Sequence, residues 1–516
     1  MTDKKSRTEY SILNIMTGLG GYAINTILGL ACRMVFTRTL TADYLGINGL
    51  FMNIITMLSL AELGVGSAIV YALYKPLSEN DEDKVASLVK FYGSCYKAIG
   101  IIVAAIGILL IPFLNELIVE KPAIKESLYL IYALYLFNTA STYFFSYRSS
   151  LIAAAQQNYI VTGVNYLITI VQSIIQIFWL IFTHEYIGYL IIASIGTMTY
   201  NVLISYIAKQ KFPFIEKDGI KPLEYEEKNG LIRNVRALVV WKLSGLLVNS
   251  TDNIIITYFS GLATVGLSSN YTLLSGTLNS FLNQFFSGIT ASVGNLNAKE
   301  SVDKKMEMFN TISLANFWLF GWAAIGIFVV STDIVNLMFG VDYILPINIP
   351  FVIALNFYMV GIQNVVWTFE NTLGLFRQGR YLQIVTAVIN LVCSIWLGKK
   401  WGLFGILIAT AIARLFTGTW YDPFKLYKYG FKRSVLPYYR RRLLYLTLLI
   451  VVGGICYLLS GLVNFSIIGN VLVKFSICCI IPNLIFLAIF YRSNEFQYYR
   501  RLFRRIILKL LKKEEK

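Results

Sequence analysis

Along this chain apolar residues gather in blocks of about 20 or more, the length that spans a bilayer, with the polar residues between them. Fourteen such blocks predict fourteen transmembrane helices, over 11–36, 46–74, 91–113, 127–147, 159–182, 186–208, 234–260, 264–294, 309–331, 347–374, 381–398, 402–420, 443–462 and 468–491. The expected fold class is therefore an all-α polytopic membrane protein. The opening MTDKKSRTEY leads into the apolar run Ile12 to Phe36 with no small-residue cleavage site. It reads as a first span and not as a removable leader.

The loops carry the orientation. With the N-terminus inside, 35 Lys and Arg fall on the cytoplasmic side, whereas the external segments hold only Arg38, Lys121, Lys125, Lys399 and Lys400. A bias this steep places both termini in the cytoplasm. The longest external segments, 114–126 and 332–346, have room for a turn or a brief interfacial helix but not for a domain. The tail YYRRLFRRIILKLLKKEEK spaces Leu502, Phe503, Ile506, Ile507, Leu510 and Leu511 between cations. That pattern predicts a basic amphipathic helix lying on the inner leaflet.

A net charge of +17 would suggest nucleic acid for a soluble protein. Here, with 56% hydrophobic residues, it marks basic loops held against anionic lipid, and no nucleic-acid partner is expected. The six cysteines (32, 95, 393, 456, 478 and 479) lie inside apolar segments without metal-ligand or redox spacing. The one histidine, His184, stands in a short loop. A single imidazole builds neither a zinc site nor a Ser-His pair, so no metal centre, no cofactor and no enzymatic activity are expected.

The sequence carries a faint internal repeat. TADYLGINGLF (41–51) followed by SENDEDK (78–84) is answered by GLATVGLSSNY (261–271) followed by AKESVDK (298–304). Gly46, Asp83 and Lys84 fall on Gly266, Asp303 and Lys304 at one constant offset, and Gln157 and Tyr159 answer Gln378 and Tyr381 with slippage. Six spans separate the copies, an even number, so the halves are parallel repeats about an axis along the membrane normal.

Polar residues inside the spans supply the candidate chemistry, because hydrocarbon penalises them unless they face an interior or a wet cavity. On span one Asn14, Gly18, Gly21, Asn25 and Gly29 share a face at about 100° per residue, with Arg33 at its edge. Span seven, WKLSGLLVNSTDNIIITYF, puts Lys242, Gly245, Asn249, Asp252 and Asn253 on one side. Span eight repeats the pattern with Gly276, Asn279, Asn283 and Ser287. The repeat makes spans one and seven counterparts, and two and eight likewise, so their polar faces are expected to meet across a central, water-lined cleft. For the glycines, a close helix–helix contact is the competing reading. The charges in or near spans are Arg33, Arg38, Lys97, Arg148, Lys242, Arg414 and Lys474 against Glu62, Asp252 and Glu370. Cations dominate, which favours an anionic head group such as pyrophosphate. Arg38 and Arg148 at helix ends can instead snorkel to the interface. Asp252, Glu62 and Glu370 are candidates for a coupling ion, Na⁺ or H⁺, or for pairing with a cation.

LTADYLGINGLFMNIITMLSLAELGVGSAIVYALYKPLSENDEDKVASLV, RSSLIAAAQQNY and FENTLGLFRQGRYLQIVTAVINLVCSIWLGKKWGLFGILIATAIARL resemble the Wzx-type polysaccharide flippases. These belong to the multidrug/oligosaccharidyl-lipid/polysaccharide exporter superfamily, and the resemblance runs over roughly residues 10–490. It implies two six-helix bundles, 1–208 and 234–420, around a V-shaped central cavity. It places a cytoplasmic linker at 209–233, a cytoplasmic loop at 421–442, two extra transmembrane helices over 443–491 and the tail at 492–516. It implies alternating-access translocation of an undecaprenyl-pyrophosphate-linked oligosaccharide across a bacterial plasma membrane. The matching cations are Arg33 and Arg38 in CRMVFTRTL, and Arg148 in the RSSLIAAAQ motif; Lys242 joins them from the charge pattern. Asn25, Asn249, Asn253, Asn279 and Asn283 are the expected polar lining. Membrane lipids, a polysaccharide polymerase and other assembly proteins are the expected partners. Two rivals remain open: a membrane polymerase or ligase, which would want a larger external loop with catalytic acids, arginines or histidines, and an ion-coupled drug exporter, which would prefer acidic and aromatic groups in the cleft.

Overall fold

The computed structural model describes residues 7–59, 72–74, 76–77, 79–118, 122–217, 219–220, 222–229, 231–232, 252–373, 375, 379, 381–501 and 504. Among them the regular structure is helical, with no strand. A chain rich in apolar runs has little choice, since a helix satisfies its own backbone groups where no water is available.

Two compact units emerge, Met1–Gly266 and Leu267–Lys516. The first contains α1 (Arg7–Thr39), α2 (Ala42–Leu58), α3 (Glu82–Leu110), α4 (Leu128–Thr142), α5 (Ser146–Ala154), α6 (Asn158–Thr183), α7 (Tyr186–Lys211), α8 (Asp252–Ser260) and the first turn of α9 (Leu262–Lys299). The second holds the rest of α9, then α10 (Val302–Phe339), α11 (Asn348–Leu373), α12 (Leu382–Phe416), α13 (Gly418–Lys425), α14 (Leu436–Gly461) and α15 (Ile467–Phe490). Eight helical stretches among the described residues are long and apolar enough to cross a membrane. The polar-striped helices α1 and α9, of 33 and 38 residues, also have the length. Most of span seven, the second half of span two and most of the amphipathic tail lie outside the described residues.

Local chemistry explains where helices turn. α6 ends at His184, whose left-handed backbone closes a tight hairpin into α7; the lone histidine is a helix cap. The two expected spans 381–398 and 402–420 appear as arms of α12, folded back at Gly402, whose φ of 55° suits a residue without a side chain. The arms run antiparallel: Asn390 Nδ2 donates to Thr410 Oγ1 at 2.9 Å and Thr386 Oγ1 to Thr417 Oγ1 at 2.8 Å. Span four is broken, with α4 giving way to a turn at 143–145 and then to α5.

The repeat is visible in helix boundaries. α2 and α9 begin at 42 and 262, α3 and α10 at 82 and 302, α4 and α11 at 128 and 348, the same separation each time. Inside the first unit, α2 crosses the start of α9 through the matched glycines. A Cβ on Gly46 would lie 2.1 Å from the carbonyl oxygen of Leu262, and one on Gly266 would lie 2.2 Å from that of Ala42. Ala42 and Leu262 are themselves equivalent positions, so each helix offers its glycine to the other's first carbonyl.

In the second unit α15 lies along α10 and α14. Pro482 leaves the carbonyl of Cys478, one turn earlier, without its helical donor. Trp322 of α10 supplies one: its Nε1 donates to that oxygen at 2.9 Å. Alongside, Trp318 Nε1 donates to Asn483 Oδ1 at 2.6 Å, and Lys474 Nζ meets both carboxylate oxygens of Asp333 at 2.8 and 3.0 Å.

Candidate functional site

In the first unit the expected cation Arg33 sits in the last turns of α1, half-buried. It is close enough to act electrostatically on Tyr135 of α4 and on Tyr186 and Tyr189 of α7. The hydroxyl oxygens of Tyr135 and Tyr186 are 3.0 Å apart. Phe36, one turn on from Arg33, meets Tyr186 and Tyr189 edge-on at 5.7 and 5.3 Å, and Tyr44 meets Tyr186 at 5.0 Å. Tyr44 in turn donates to Glu126 Oε2 at 2.5 Å. A guanidinium within electrostatic reach of a cluster of phenol hydroxyls can offer donors to an anion, with flat apolar ring surface nearby.

The other expected residues are distributed. Arg38 is exposed. Arg148 is engaged at the far end of the unit, donating from Nη1 to Ser205 Oγ and from Nη2 to Glu216 Oε1 at 3.2 Å. Asn25 is half-buried on α1. Of the glycines on that stripe, Gly21 fits under the ring of Tyr166, where a Cβ would come within 1.9 Å of it, while Gly29 faces open space. Close helix contact therefore explains Gly21. Asn253 Nδ2 donates to the carbonyl of Gly49 on α2 at 3.4 Å, and Asp252 stands in the first turn of α8. Lys242, Asn249 and Glu62 lie outside the described residues.

In the second unit Asn283 Oδ1 accepts from Asn364 Nδ2 at 2.6 Å, and Asn279 is half-buried one turn earlier on α9. Glu370, near the end of α11, is buried against α13. Its Oε2 is 2.9 Å from Lys425 Nζ, which is also 3.5 Å from Asp422 Oδ1, while Trp367 Nε1 donates to Asp422 Oδ2 at 3.1 Å. Asp422 and Lys425 were not among the residues singled out from the sequence, because they belong to a loop whose many cations mark it as solvated. The one signal available was an acid three residues before a lysine, a spacing that puts both on one helical face. Asp333, the partner of Lys474, was likewise passed over at a helix end.

An apolar groove of about 530 Å³ lies between α4 and α7, lined by Leu134, Phe137, Ile191, Ile195, Met198 and Val202 among others. None of the expected polar residues reaches it, and its chemistry is that of surface facing acyl chains.

No protein-family model matches the chain, and no curated protein matches it in sequence. Solved structures do match. The lipid II flippase MurJ in an inward closed conformation aligns over 93% of this chain and 99% of its own, with a TM-score of 0.61 at 16% identity. An inward-facing multidrug resistance MATE family transporter of the MOP superfamily aligns over 79% and 96%, with a TM-score of 0.58 at 14% identity. The MATE transporter VcmN of Vibrio cholerae, as a mutant, aligns over 83% and 99%, with a TM-score of 0.53 at 12% identity. At these identities the likeness is one of fold: this chain is a multi-pass, all-helical membrane protein built on the architecture that these transporters and this flippase share.

Proposed function

We propose that the protein is a flippase that carries an undecaprenyl-pyrophosphate-linked oligosaccharide repeat unit across a bacterial plasma membrane, for capsule, O-antigen or exopolysaccharide synthesis. The observation that carries this reading is Arg33, a guanidinium half-buried in a membrane-length helix among Tyr135, Tyr186 and Tyr189, on a fold also found in a lipid II flippase. An ionisable group within a membrane-length helix is costly unless it serves a pathway or a partner. Pyrophosphate suits a forked donor, and the hydroxyl and amide groups of Tyr135, Asn25, Asn253, Asn279 and Asn283 suit sugar. In this mechanism the head group is engaged by such groups, with Arg38, Arg148, Lys242 and Asn249 as the further candidates. The prenyl chain stays in lipid while the head group crosses by alternating access. No Gly-rich phosphate-binding loop with Lys-Ser/Thr occurs in the sequence, so the drive is assigned to an ion gradient or to removal of the product by a polymerase.

The test is genetic and chemical. Deleting the protein should cause one lipid-linked oligosaccharide to accumulate on the inner leaflet, and Arg33→Ala should reproduce that block at normal protein level. Removing a group that engages pyrophosphate should cost about tenfold or more in delivery. Arg33→Lys should recover part of it, since charge returns without the fork. Undiminished surface polymer in Arg33→Ala would remove Arg33 from the pathway. Dye efflux without any effect on polysaccharide would favour the drug exporter.

A further inference from the structure

Two carboxylates and one ammonium are enclosed together in the second unit: the side chains of Glu370, Asp422 and Lys425 are 8%, 3% and 7% exposed. Among the described residues, three full charges there leave one negative charge uncompensated in a medium that penalises it heavily. The hydrogen bonds say which carboxyl is the weaker anion. Asp422 has donors on both oxygens, Trp367 Nε1 on Oδ2 and Lys425 Nζ on Oδ1. Glu370 has Lys425 on Oε2, and its buried Oε1 has no partner among the described residues. A second buried group points into the same place. Gln363, 4% exposed, carries an unpartnered Nε2; a Cβ on Gly418 would lie 2.9 Å from that nitrogen and 3.2 Å from Asp422 Oδ2.

We propose that Glu370 is a proton-binding carboxyl. Asp422 is its fixed counter-anion and Lys425 a cation shared between the two. On protonation one O–H bond forms on Glu370, the proton coming from bulk solvent as hydronium and leaving water. Lys425 keeps its charge and passes wholly to Asp422. The ion pair between α11 and α13 is thereby released, and deprotonation restores it. Among the described residues, the groups facing the site are Asp422 and Lys425 on α13, Gln363 and Trp367 on α11 itself, and Tyr438 at the start of α14. Tyr438 is near enough to register both carboxylates and lies under the guanidinium of Arg442 at 4.9 Å. α10 presents Phe309 to Phe369 beside Glu370, and the backbone of Gly379 approaches Lys425 Nζ. That this proton drives transport rests on the flippase reading; that it binds does not.

The two parts separate experimentally. Infrared difference spectra of the purified full-length protein, titrated with pH in the absence of substrate, should show one buried protonated carboxyl band. Glu370→Gln should lack it. Asp422→Asn, which removes the neighbouring negative charge, should move its midpoint to lower pH by about one unit or more, and Lys425→Met should move it to higher pH by a similar amount. A band that survives in Glu370→Gln, or a midpoint unmoved by both neighbours, would overturn the proton site. So would loss of the band on adding sodium at constant pH, which would make it a metal-cation site. If the spectra behave as expected yet Glu370→Gln delivers surface polymer normally, the proton site stands and its coupling role fails.

Discussion

At the scale of single residues, one indole of the second unit serves a carbonyl that a proline leaves free. Proline inside a spanning helix is tolerated where a neighbour satisfies the carbonyl it leaves free. Trp322 Nε1 does this for Cys478. Trp322→Phe keeps an aromatic ring but removes the donor, so it should destabilise the protein by about 1–3 kcal/mol, the cost of an unsatisfied buried acceptor. Pro482→Ala restores a backbone N–H able to reach the same oxygen. The loss from Trp322→Phe should therefore shrink when both changes are combined, a coupling that a double-mutant cycle of thermal unfolding in detergent measures directly. Strict additivity of the two would show that the indole contributes packing and nothing to the carbonyl. Neither partner of this bond stands out in the sequence: a tryptophan and a backbone carbonyl in apolar runs 156 residues apart become a pair only when α10 and α15 lie side by side.

Among helices, the crossing of α2 over the start of α9 carries the repeat into three dimensions. Gly46 and Gly266 each meet a backbone oxygen, and a backbone atom in a helix cannot swing aside as a side-chain tip can. Either Gly→Ala change must push the helices apart, at about 1–3 kcal/mol for overpacking. Once one change has separated them, the second has less left to disturb, so the double variant should lose clearly less stability than the two losses added together. Thermal melts of the four proteins decide it, and unchanged melting in either single variant would mean the crossing is looser than these distances. The recurrence of the two glycines at equivalent positions was legible in the sequence, but not that they meet each other's helix, because that contact joins segments 220 residues apart. The fourteen apolar blocks were legible, since hydrocarbon selects by composition and length alone. The candidate sites were half legible. Arg33 and Glu370 announce themselves as charges in apolar runs, but Tyr135, Tyr186 and Tyr189 look like ordinary members of an aromatic-rich chain. Asp422 and Lys425 look like ordinary members of a charged loop. What makes them partners is the pairing of α4 with α7 and of α11 with α13, which no periodicity within a segment encodes. The break in span four at 143–145 was missed for the opposite reason: its residues, Tyr, Phe and Phe, read as continuous helix.

For the molecule as a whole, the charge bias predicts which segments share a side, and the ties within each unit supply an independent check. In the first unit Lys84 pairs with Glu227, Lys217 with Glu82, and Arg148 and Lys209 with Glu216, joining segments all assigned to the cytoplasm. At the other end Asp43 and Tyr44, at the start of α2, bind the 122–127 segment through Ala123 N and Glu126, both assigned outside. In the second unit Arg433 pairs with Asp303 and Arg441 with Glu495, again on segments assigned inside. Tyr271 accepts from Leu345 N, and Lys474 pairs with Asp333, all at ends assigned outside. A miscounted span would place one member of several of these pairs across the bilayer from its partner, so the count and the contacts constrain each other. Which side is the cytoplasm is an expectation that rests on the cations alone. In a variant lacking the six native cysteines, single cysteines at Ile124, Asp342 and Lys400 should react with a membrane-impermeant maleimide added to intact cells. Cysteines at Lys217, Asp303 and Arg433 should react only after the membrane is opened. The reverse pattern would invert the protein and move the Arg33 end of α1, here assigned outside, to the cytoplasmic side. A mixed pattern within either set would break the span count itself, and with it the assignment of spans one and seven, and two and eight, as equivalents.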